Sequence, residues 1–233
     1  TGFNHLDSIL EGGLYEGLYI IGAISSLGKT TFVLQTCDQI AEQGHDVLIF
    51  SLEMSKEELI SKSLSRLSYQ INSQCGFTAR CISTNNFGKP VSKVQSNTLA
   101  EAIKQYREPS EHIFISEGEG DITTLKIKEI VEQHIKVTGR KPVVVVDYLQ
   151  IVAPSDPRMT DKQIIDRAVF NLKRLSRKYK MPVIAISSFN RTSYVKDAGM
   201  SSFKESGAIE YSSDVLIGLE LVTEKRGAQK EIT

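Results

Sequence analysis

Short stretches of apolar residues alternate along the chain with longer segments in which apolar side chains recur every three or four positions. The first pattern predicts β-strands and the second predicts amphipathic helices. The expected strands are Leu18–Gly22, Val47–Phe50, His112–Ser116, Val143–Val146, Val183–Ile186 and Asp214–Val222. The expected helices are Lys29–Gln43, Ser55–Tyr69, Asp121–Thr138 and Asp161–Lys180. Strands that alternate with helices of this length form βαβ units, so the pattern predicts one α/β domain with a largely parallel central sheet and helices on both faces.

Several local features sharpen this prediction. The Val143–Val146 run has no polar alternation, which is typical of a strand covered on both faces. Ser55 and Glu58 have the spacing of a capping box at a helix start. Residues 71–98 are polar and weakly patterned, and they predict a loop with helical residues of unclear bounds. In the Asp121–Thr138 helix, the side chains expected to point inward are Leu125, Ile127, Ile130, Val131 and Ile135.

Composition excludes several classes of protein. The chain has 233 residues, of which 40% are hydrophobic and 24% are charged, so it is neither collagen-like nor globally disordered. No apolar run reaches the roughly 18 residues of a membrane span, so no membrane partner is expected. Cys37, Cys75 and Cys81 lack a CxxC spacing and predict reduced thiols in an intracellular, cytoplasmic protein rather than a disulfide framework.

Net charge carries little information about partners. Lys and Arg together number 28, as do Asp and Glu, so a nucleic-acid partner does not follow from bulk charge and any basic surface must be local. Five cations crowd the C-terminal half of the Asp161–Lys180 helix, largely off its apolar stripe, and we interpret them as a solvated face rather than a contact for DNA or a partner. They are Lys173, Arg174, Arg177, Lys178 and Lys180.

The strongest local signal is the segment from Ala23 to Thr30, which matches a phosphate-binding loop with Ala in place of the usual first Gly. It lies between an expected strand and an expected helix, where backbone N–H groups and the helix N-terminus can face a phosphate. Lys29 would pair with the β- and γ-phosphates, and the Thr30 hydroxyl would bind Mg²⁺. The alternative is a glycine-containing turn with an exposed lysine. The residues expected to bind the nucleoside triphosphate are Ser25, Ser26, Leu27, Gly28, Lys29, Thr30 and Thr31.

Two carboxylates follow expected strands. Asp147 comes directly after Val143–Val146, where a strand end in a parallel sheet lines the ligand crevice, and we expect it to act on Mg²⁺ directly or through water. Glu53 follows the second strand and is the candidate for activating the attacking water. The alternatives are that Asp147 only forms a turn and that Glu53 only places negative charge near the next helix start.

Further motifs extend this pattern along nearly the whole chain. The opening Thr1-Gly2-Phe3-x-x-Leu6-Asp7 with Gly12-Gly13-Leu14 resembles RecA/KaiC-type ATPase domains. The fuller set resembles the C-terminal motor domain of DnaB-type replicative helicases, a RecA-like P-loop NTPase. Its motifs are Ser51-Leu52-Glu53-Met54-Ser55, Asp147-Tyr148-Leu149-Gln150, Asn190-Arg191 and Glu205-Ser206-Gly207-Ala208-Ile209-Glu210.

The resemblance implies a ring-forming, ATP-dependent DNA helicase motor that uses Mg²⁺. Glu53 would then be the catalytic glutamate, Lys29 would retain its phosphate role, and Thr30 and Asp147 would serve the metal. The implied partners are single-stranded DNA, further copies in a homo-hexamer with nucleotide at each interface, a primase and a helicase loader. Residues implied to contact DNA are Arg191, Lys196, Lys204, Glu205 and Gly207.

Two departures from the family pattern are visible. Ser188 stands where the family usually has a glutamine that senses the γ-phosphate, and its side chain is too short to reach equally far. The Lys-x-Arg pair of the arginine-finger strand is not found, and Lys225-Arg226 lacks its pattern. We therefore expect residues 1–233 to form a single motor domain, with the N-terminal domain, linker helix and finger strand outside it.

Two other functions compete with the helicase. A RecA/KaiC-like DNA-dependent or regulatory ATPase would share the opening motif but would not unwind processively. A nucleotide-gated assembly module with degenerate hydrolysis is supported by Ser188 and by the missing finger, whereas the intact Glu53 argues against it.

Overall fold

A computed structural model describes residues 1–118, 122–154, 158–189, 203 and 207–220. The strands are β1 (Gly17–Ala23), β2 (Val47–Ser51), β3 (Ile113–Glu117), β4 (Val143–Asp147), β5 (Pro182–Ser188) and β6 (Val215–Gly218). The α-helices are α1 (Asn4–Ile9), α2 (Lys29–Glu42), α3 (Lys56–Ile71), α4 (Ala79–Thr84), α5 (Lys93–Ser110), α6 (Thr124–Thr138), α7 (Asp161–Tyr179) and α8 (Gly207–Ser212). A 3₁₀ turn spans Leu149–Ile151.

The six strands form one sheet in the order β3-β2-β4-β5-β1-β6, and every pairing is parallel. The expected α/β class with a largely parallel sheet is thus confirmed. Because all strands run in the same direction, their carboxyl ends, and the loops that follow them, lie at one edge of the sheet.

Both faces of the sheet are buried under helices, because the central strands are apolar at successive positions and side chains along a strand alternate between faces. On β1, Leu18 and Ile20 join the core beneath α6, α7 and α8, whereas Tyr19 and Ile21 join the core beneath α2 and α3. A smaller cluster packs α3 against α5.

Most expected helices are confirmed with small shifts. Helix α3 begins after Ser55, and both hydrogen bonds of the capping box with Glu58 are present. The expected start of α6 at Asp121 is wrong, because Thr123 caps the helix and Thr124 is its first residue. The last strand spans Val215–Gly218 and is shorter than expected at both ends.

At two places the sequence pattern did not predict the structure: the inward face of α6 and the bounds of α5. Leu125 does not point inward and is 59% exposed, because a helix that starts at Thr124 buries the turn around Ile127 and Val131 instead. Helix α5 has no clear bounds in the sequence pattern, since its inward face uses small or polar-tipped residues such as Ala102 and Tyr106.

The three cysteines are free thiols, as expected. No helix within the described ranges has both the length and the apolar character needed to cross a membrane.

Candidate functional site

Four strands deliver the candidate residues to one edge of the sheet. In the strand register Ala23, the last residue of β1, lies opposite Ser188 at the end of β5. Ser51, the last residue of β2, lies opposite Asp147 at the end of β4. The Leu52 N–H donates to the Asp147 carbonyl at 2.9 Å, which extends this pairing by one step. The loops that follow these strands therefore lie around one shared space at this edge of the sheet.

The phosphate loop connects β1 to α2 through left-handed backbone. Ser26 has φ 62° and Gly28, the N-cap of α2, has φ 108°. The Gly28 conformation disfavours any residue with a Cβ, and it lets the helix begin at Lys29. The Lys29 ammonium donates hydrogen bonds to the carbonyls of Ala23 and Ile24, both at 3.1 Å, so its charge lies over the loop.

Asp147 is buried at the end of β4, with 4% of its surface exposed. Burial raises the pKa of this carboxyl above its ordinary value, and the negative charge of Glu53 adds to the increase. The side-chain hydrogen bond with Thr30 and the positive charges of Lys29 and Lys62 act in the opposite direction. The residues that carry these groups, Thr30, Lys29, Lys62 and Glu53, all line one cleft with Asp147.

Glu53 is exposed on a short turn between β2 and α3. The Ser51 hydroxyl donates to the Met54 carbonyl at 2.6 Å and closes this turn. The Lys56 N–H, in the first turn of α3, donates to the carboxylate of Glu117 at the end of β3. The turn that carries Glu53 is thus held from both sides, while its carboxylate stays open to the cleft.

These elements enclose a cleft of about 360 Å³. Six of the seven expected nucleotide-binding residues line it, together with Glu53 and Asp147. The exception is Leu27, whose side chain is buried in the core beneath α2, so only its backbone is available to the loop. The cleft-lining residues are Ser25, Ser26, Gly28, Lys29, Thr30, Thr31, Glu53, Met54, Lys62, Asp147, Tyr148 and Ser188.

Sequence reasoning did not single out Met54, Lys62 or Tyr148 as cleft residues. Met54 and Tyr148 are direct neighbours of Glu53 and Asp147, and this adjacency could have identified them. Lys62 lies two turns into α3, where a lysine on an amphipathic helix is usually solvated, so no sequence signal distinguished it.

Ser188 lines the cleft as well, so the position where the sequence departs from the expected glutamine is part of the site. Of the residues expected to contact DNA, Arg191, Lys196, Lys204 and Glu205 lie outside the described residues. Gly207 is the first residue of α8. The Lys225-Arg226 pair also lies outside the described part of the chain.

Comparison with known proteins agrees with this arrangement. The DnaB-like helicase C terminal domain profile matches residues 1–231. This chain belongs to that family.

Curated members of the family resemble the chain over nearly its whole length. It is 28% identical over 226 residues to the replicative DNA helicase DnaB of Haemophilus influenzae, an alignment that covers 93% of this chain and 45% of that protein. It is 30% identical over 223 residues to DnaB of Pasteurella multocida, with the same coverage of both chains. The chain therefore spans a little under half the length of these DnaB relatives.

Two solved structures share the fold. One is an ATPase domain that superposes with a TM-score of 0.80 at 26% identity, covering 94% of this chain and 74% of that one. The other is a DnaB-like replicative helicase, described with its interactions with primase, which superposes with a TM-score of 0.84 at 23% identity and covers 100% of this chain and 58% of that one. The parallel sheet is thus that of a DnaB-type RecA-like ATPase domain, and the expected fold is confirmed.

Proposed function

We propose that this chain is the motor domain of a replicative DNA helicase, which hydrolyses ATP with Mg²⁺ to move along single-stranded DNA and unwind duplex. The observation that carries the proposal is the meeting of Lys29, Thr30, Glu53 and Asp147 in one cleft of a DnaB-like domain. Phosphoryl transfer to water requires a cation for the phosphates, ligands for the metal and a group that orients water, and this set supplies all three.

The residues of the cleft fit a magnesium–nucleotide complex. Thr30 and Asp147 offer one hydroxyl and one carboxylate, and Mg²⁺ is commonly held by one or two carboxylates, with waters and substrate phosphates completing its shell. When bound, the ion would neutralise charge on the phosphate oxygens. Burial raises the pKa of Asp147, and a cation beside this carboxylate would oppose that increase by favouring the charged form.

Lys29, Gly28 and Glu53 would carry the rest of the chemistry. The Lys29 ammonium would bind the β- and γ-phosphates in place of its present carbonyl partners, and the backbone N–H groups from Ser25 to Thr31 would hold the phosphates at the start of α2. Glu53 would orient the attacking water and accept its proton, because its carboxylate is exposed to the cleft and its turn is fixed.

The proposed contacts with DNA, with other subunits and with a primase rest on membership of the family. Arg191, Lys196, Lys204, Glu205 and Gly207 are proposed to contact the backbone of single-stranded DNA, which binds without reading sequence. A homo-hexameric ring is proposed, with nucleotide between subunits and the arginine finger on the neighbouring one. A primase is proposed as a partner because a DnaB-like helicase of the same fold is described with one.

Steady-state ATP hydrolysis over a series of protein concentrations, with and without oligodeoxythymidylate, tests this function. We expect turnover to rise cooperatively with concentration and to be stimulated by DNA, because each site needs two subunits. The matched control is Glu53→Gln, which preserves the shape of the side chain. Its turnover should fall by about 100-fold or more, while nucleotide affinity stays within about threefold.

A strand-displacement assay then separates the helicase from a RecA/KaiC-like ATPase. Duplex unwinding by the full-length protein supports the helicase. DNA-stimulated hydrolysis without strand displacement would assign the chain to the RecA/KaiC-like alternative, and full turnover by Glu53→Gln would remove Glu53 from its role.

A further inference from the structure

Lys62 of α3 lines the cleft together with Lys29, and its side chain is half-buried. A lysine in a folded domain is usually either solvated or paired with a carboxylate. Within the described ranges, no carboxylate approaches the Lys62 ammonium closely enough to form an ion pair. Lys29, by contrast, donates to the carbonyls of Ala23 and Ile24. The packing of the domain therefore does not explain why this cleft position carries a second positive charge.

The packing of α3 against α2 directs Lys62 toward the cleft. Leu59, one turn earlier, is buried in the core beneath α2 and α3, and Arg66, one turn later, donates at 3.0 Å to the buried carboxylate of Asp38 on α2. Residues three and four apart share a helix face, so Lys62 lies on the face that α3 turns toward α2. Side chains on a helix tilt toward its N-terminus, and α3 begins directly after the turn that carries Glu53. The two flanking contacts thus hold Lys62 at the end of α3 that borders the cleft.

The two lysines reach the cleft from different strands of the sheet. Lys29 follows β1 and Lys62 lies on the helix after β2, whereas β4 and β5 lie between those strands. Asp147 and Ser188, at the ends of β4 and β5, line the cleft between them. Because Glu53 is proposed to orient water for attack on the terminal phosphate, that phosphate must lie on the β2 side. Lys62 enters the cleft on this same side.

The charges of the cleft favour a further phosphate contact. Glu53 and Asp147 each place a carboxylate there, and Lys29 alone would leave these side chains with a net negative charge. Mg²⁺ carries less charge than a nucleoside triphosphate, so the bound complex is negative as well. Like charges repel strongly where water is partly excluded, and the charge of Lys62 offsets that repulsion.

We propose that Lys62 binds the γ-phosphate of the nucleotide and thereby makes the cleft discriminate ATP from ADP. The inference rests on the proposed function and adds to it a residue that contacts only the triphosphate. Lys29 would keep a phosphate partner in either nucleotide, whereas Lys62 gains one only when the γ-phosphate is present. An ammonium group that donates to a phosphate oxygen makes a charge-assisted hydrogen bond, which is stronger than one between neutral groups.

Isothermal titration calorimetry of the full-length protein with ADP and with a non-hydrolysable ATP analogue, each with Mg²⁺, measures this discrimination. We expect Lys62→Met, which keeps the length of the side chain but removes its charge, to weaken binding of the ATP analogue roughly 10- to 150-fold. Its affinity for ADP should stay within about fivefold of wild type, and Lys62→Arg should bind both nucleotides within about fivefold. Lys56→Met is the matched control, because Lys56 is exposed on the same helix and does not line the cleft.

Acetylation of lysine amines in the wild-type protein, followed by mass spectrometry, tests the same contact without a substitution. The ATP analogue should slow acetylation of Lys62, because the ammonium is then held by the γ-phosphate, whereas ADP should leave its rate unchanged. Lys29 should be protected by both nucleotides and Lys56 by neither, so the three lysines report on one another within a single sample.

Several results would overturn the inference, each in a recognisable way. Unchanged affinity of Lys62→Met for the ATP analogue, or an equal loss of affinity for ADP, excludes a contact specific to the γ-phosphate while leaving the nucleotide site intact. If Lys62→Met does not unfold cooperatively in urea, the acetylation pattern decides, and equal rates at Lys62 with both nucleotides reject the inference. Failure of wild type to bind either nucleotide would contradict the proposed function itself.

Discussion

The ammonium of Lys29 is held by the carbonyls of Ala23 and Ile24, the two residues where β1 passes into the phosphate loop. The left-handed Gly28 precedes it, so the first residue of α2 is directed back over the loop. One side chain therefore donates to both carbonyls, at the position where the proposed function requires a cation for the phosphates. Its replacement removes charge without disturbing the core, because Lys29 lies outside the buried clusters that cover the two faces of the sheet.

We expect Lys29→Ala to weaken ATP binding roughly 100-fold or more, since two charge-assisted hydrogen bonds of about 1.5–3 kcal/mol each are lost. A fluorescent ATP analogue measures the affinity directly. Lys56→Ala is the matched control, because Lys56 is exposed and does not line the cleft. Equal affinities of Lys29→Ala and wild type would reject the phosphate assignment.

At the level of elements, two aromatic rings from the residues that follow β5 pack against β1. Phe189 and Phe203 pack edge to face, with ring centroids 4.8 Å apart, over Gly22 of β1. The Phe189 N–H also donates to the Ala23 carbonyl at 3.0 Å. Gly22 is required for this close approach, because a Cβ there would overlap both rings. The strand that leads into the phosphate loop is therefore packed directly against Phe203.

Gly22→Ala should lower the free energy of unfolding by about 1–3 kcal/mol, as expected for an extra methyl in a closed core. Urea denaturation measures the change. In a double-mutant cycle, Phe203→Leu should recover at least about 0.5 kcal/mol of that loss, because the smaller side chain makes room for the methyl. Additive losses in the double variant would show that the ring of Phe203 does not limit this position.

On the scale of the whole molecule, a polar cluster around Asp46 connects the amino ends of three strands, on the side of the sheet opposite the cleft. Asp46 Oδ1 lies 2.8 Å from His112 Nδ1 and 3.3 Å from Arg140 Nη1, and Oδ2 lies 3.2 Å from His134 Nε2. These residues precede β2, β3 and β4 or belong to α6. The Val143 N–H donates to the Asp46 carbonyl at 2.8 Å, so the cluster connects three strand starts and one helix.

This cluster makes stability depend on pH. Burial favours the neutral carboxyl, but hydrogen bonds from His112, Arg140 and His134 together hold the pKa of Asp46 below its ordinary value of 3.8. A carboxyl with a depressed folded-state pKa contributes stability above its unfolded pKa, and that contribution is lost as pH falls through the folded-state pKa.

Asp46→Asn should therefore cost about 1–3 kcal/mol at pH 7, because the buried His134 and the partly buried His112 lose a charged acceptor. The difference from wild type should shrink as pH falls below 3.8, where wild type also loses the charge. Urea denaturation at several pH values measures both effects. Glu129→Gln, at an exposed ion pair, is the control and should change stability by less than about 1 kcal/mol. A constant difference across that range would show that the Asp46 charge does not contribute.

The sequence by itself determined the parallel α/β architecture, and together with the family resemblance it singled out the four residues of the proposed chemistry. Apolar runs without polar alternation identified strands buried on both faces, and the loop motif and strand-end carboxylates depend on local order along the chain. Strand ends of a parallel sheet meet at one edge, so the sequence predicts that Asp147 and Glu53 lie near Lys29, and the family resemblance is what selected Glu53 over its alternative.

Only the tertiary structure decided which side chains face which space. Lys62 reaches the cleft because α3 packs beside it, and Leu27 leaves the cleft because the core beneath α2 takes its side chain. Leu125 and Tyr211 are exposed because the packing of their helices selects other residues for burial. Periodicity gives the spacing of apolar positions, but the rotation of a helix is set by its contacts with distant segments, and these exist only once the chain has folded.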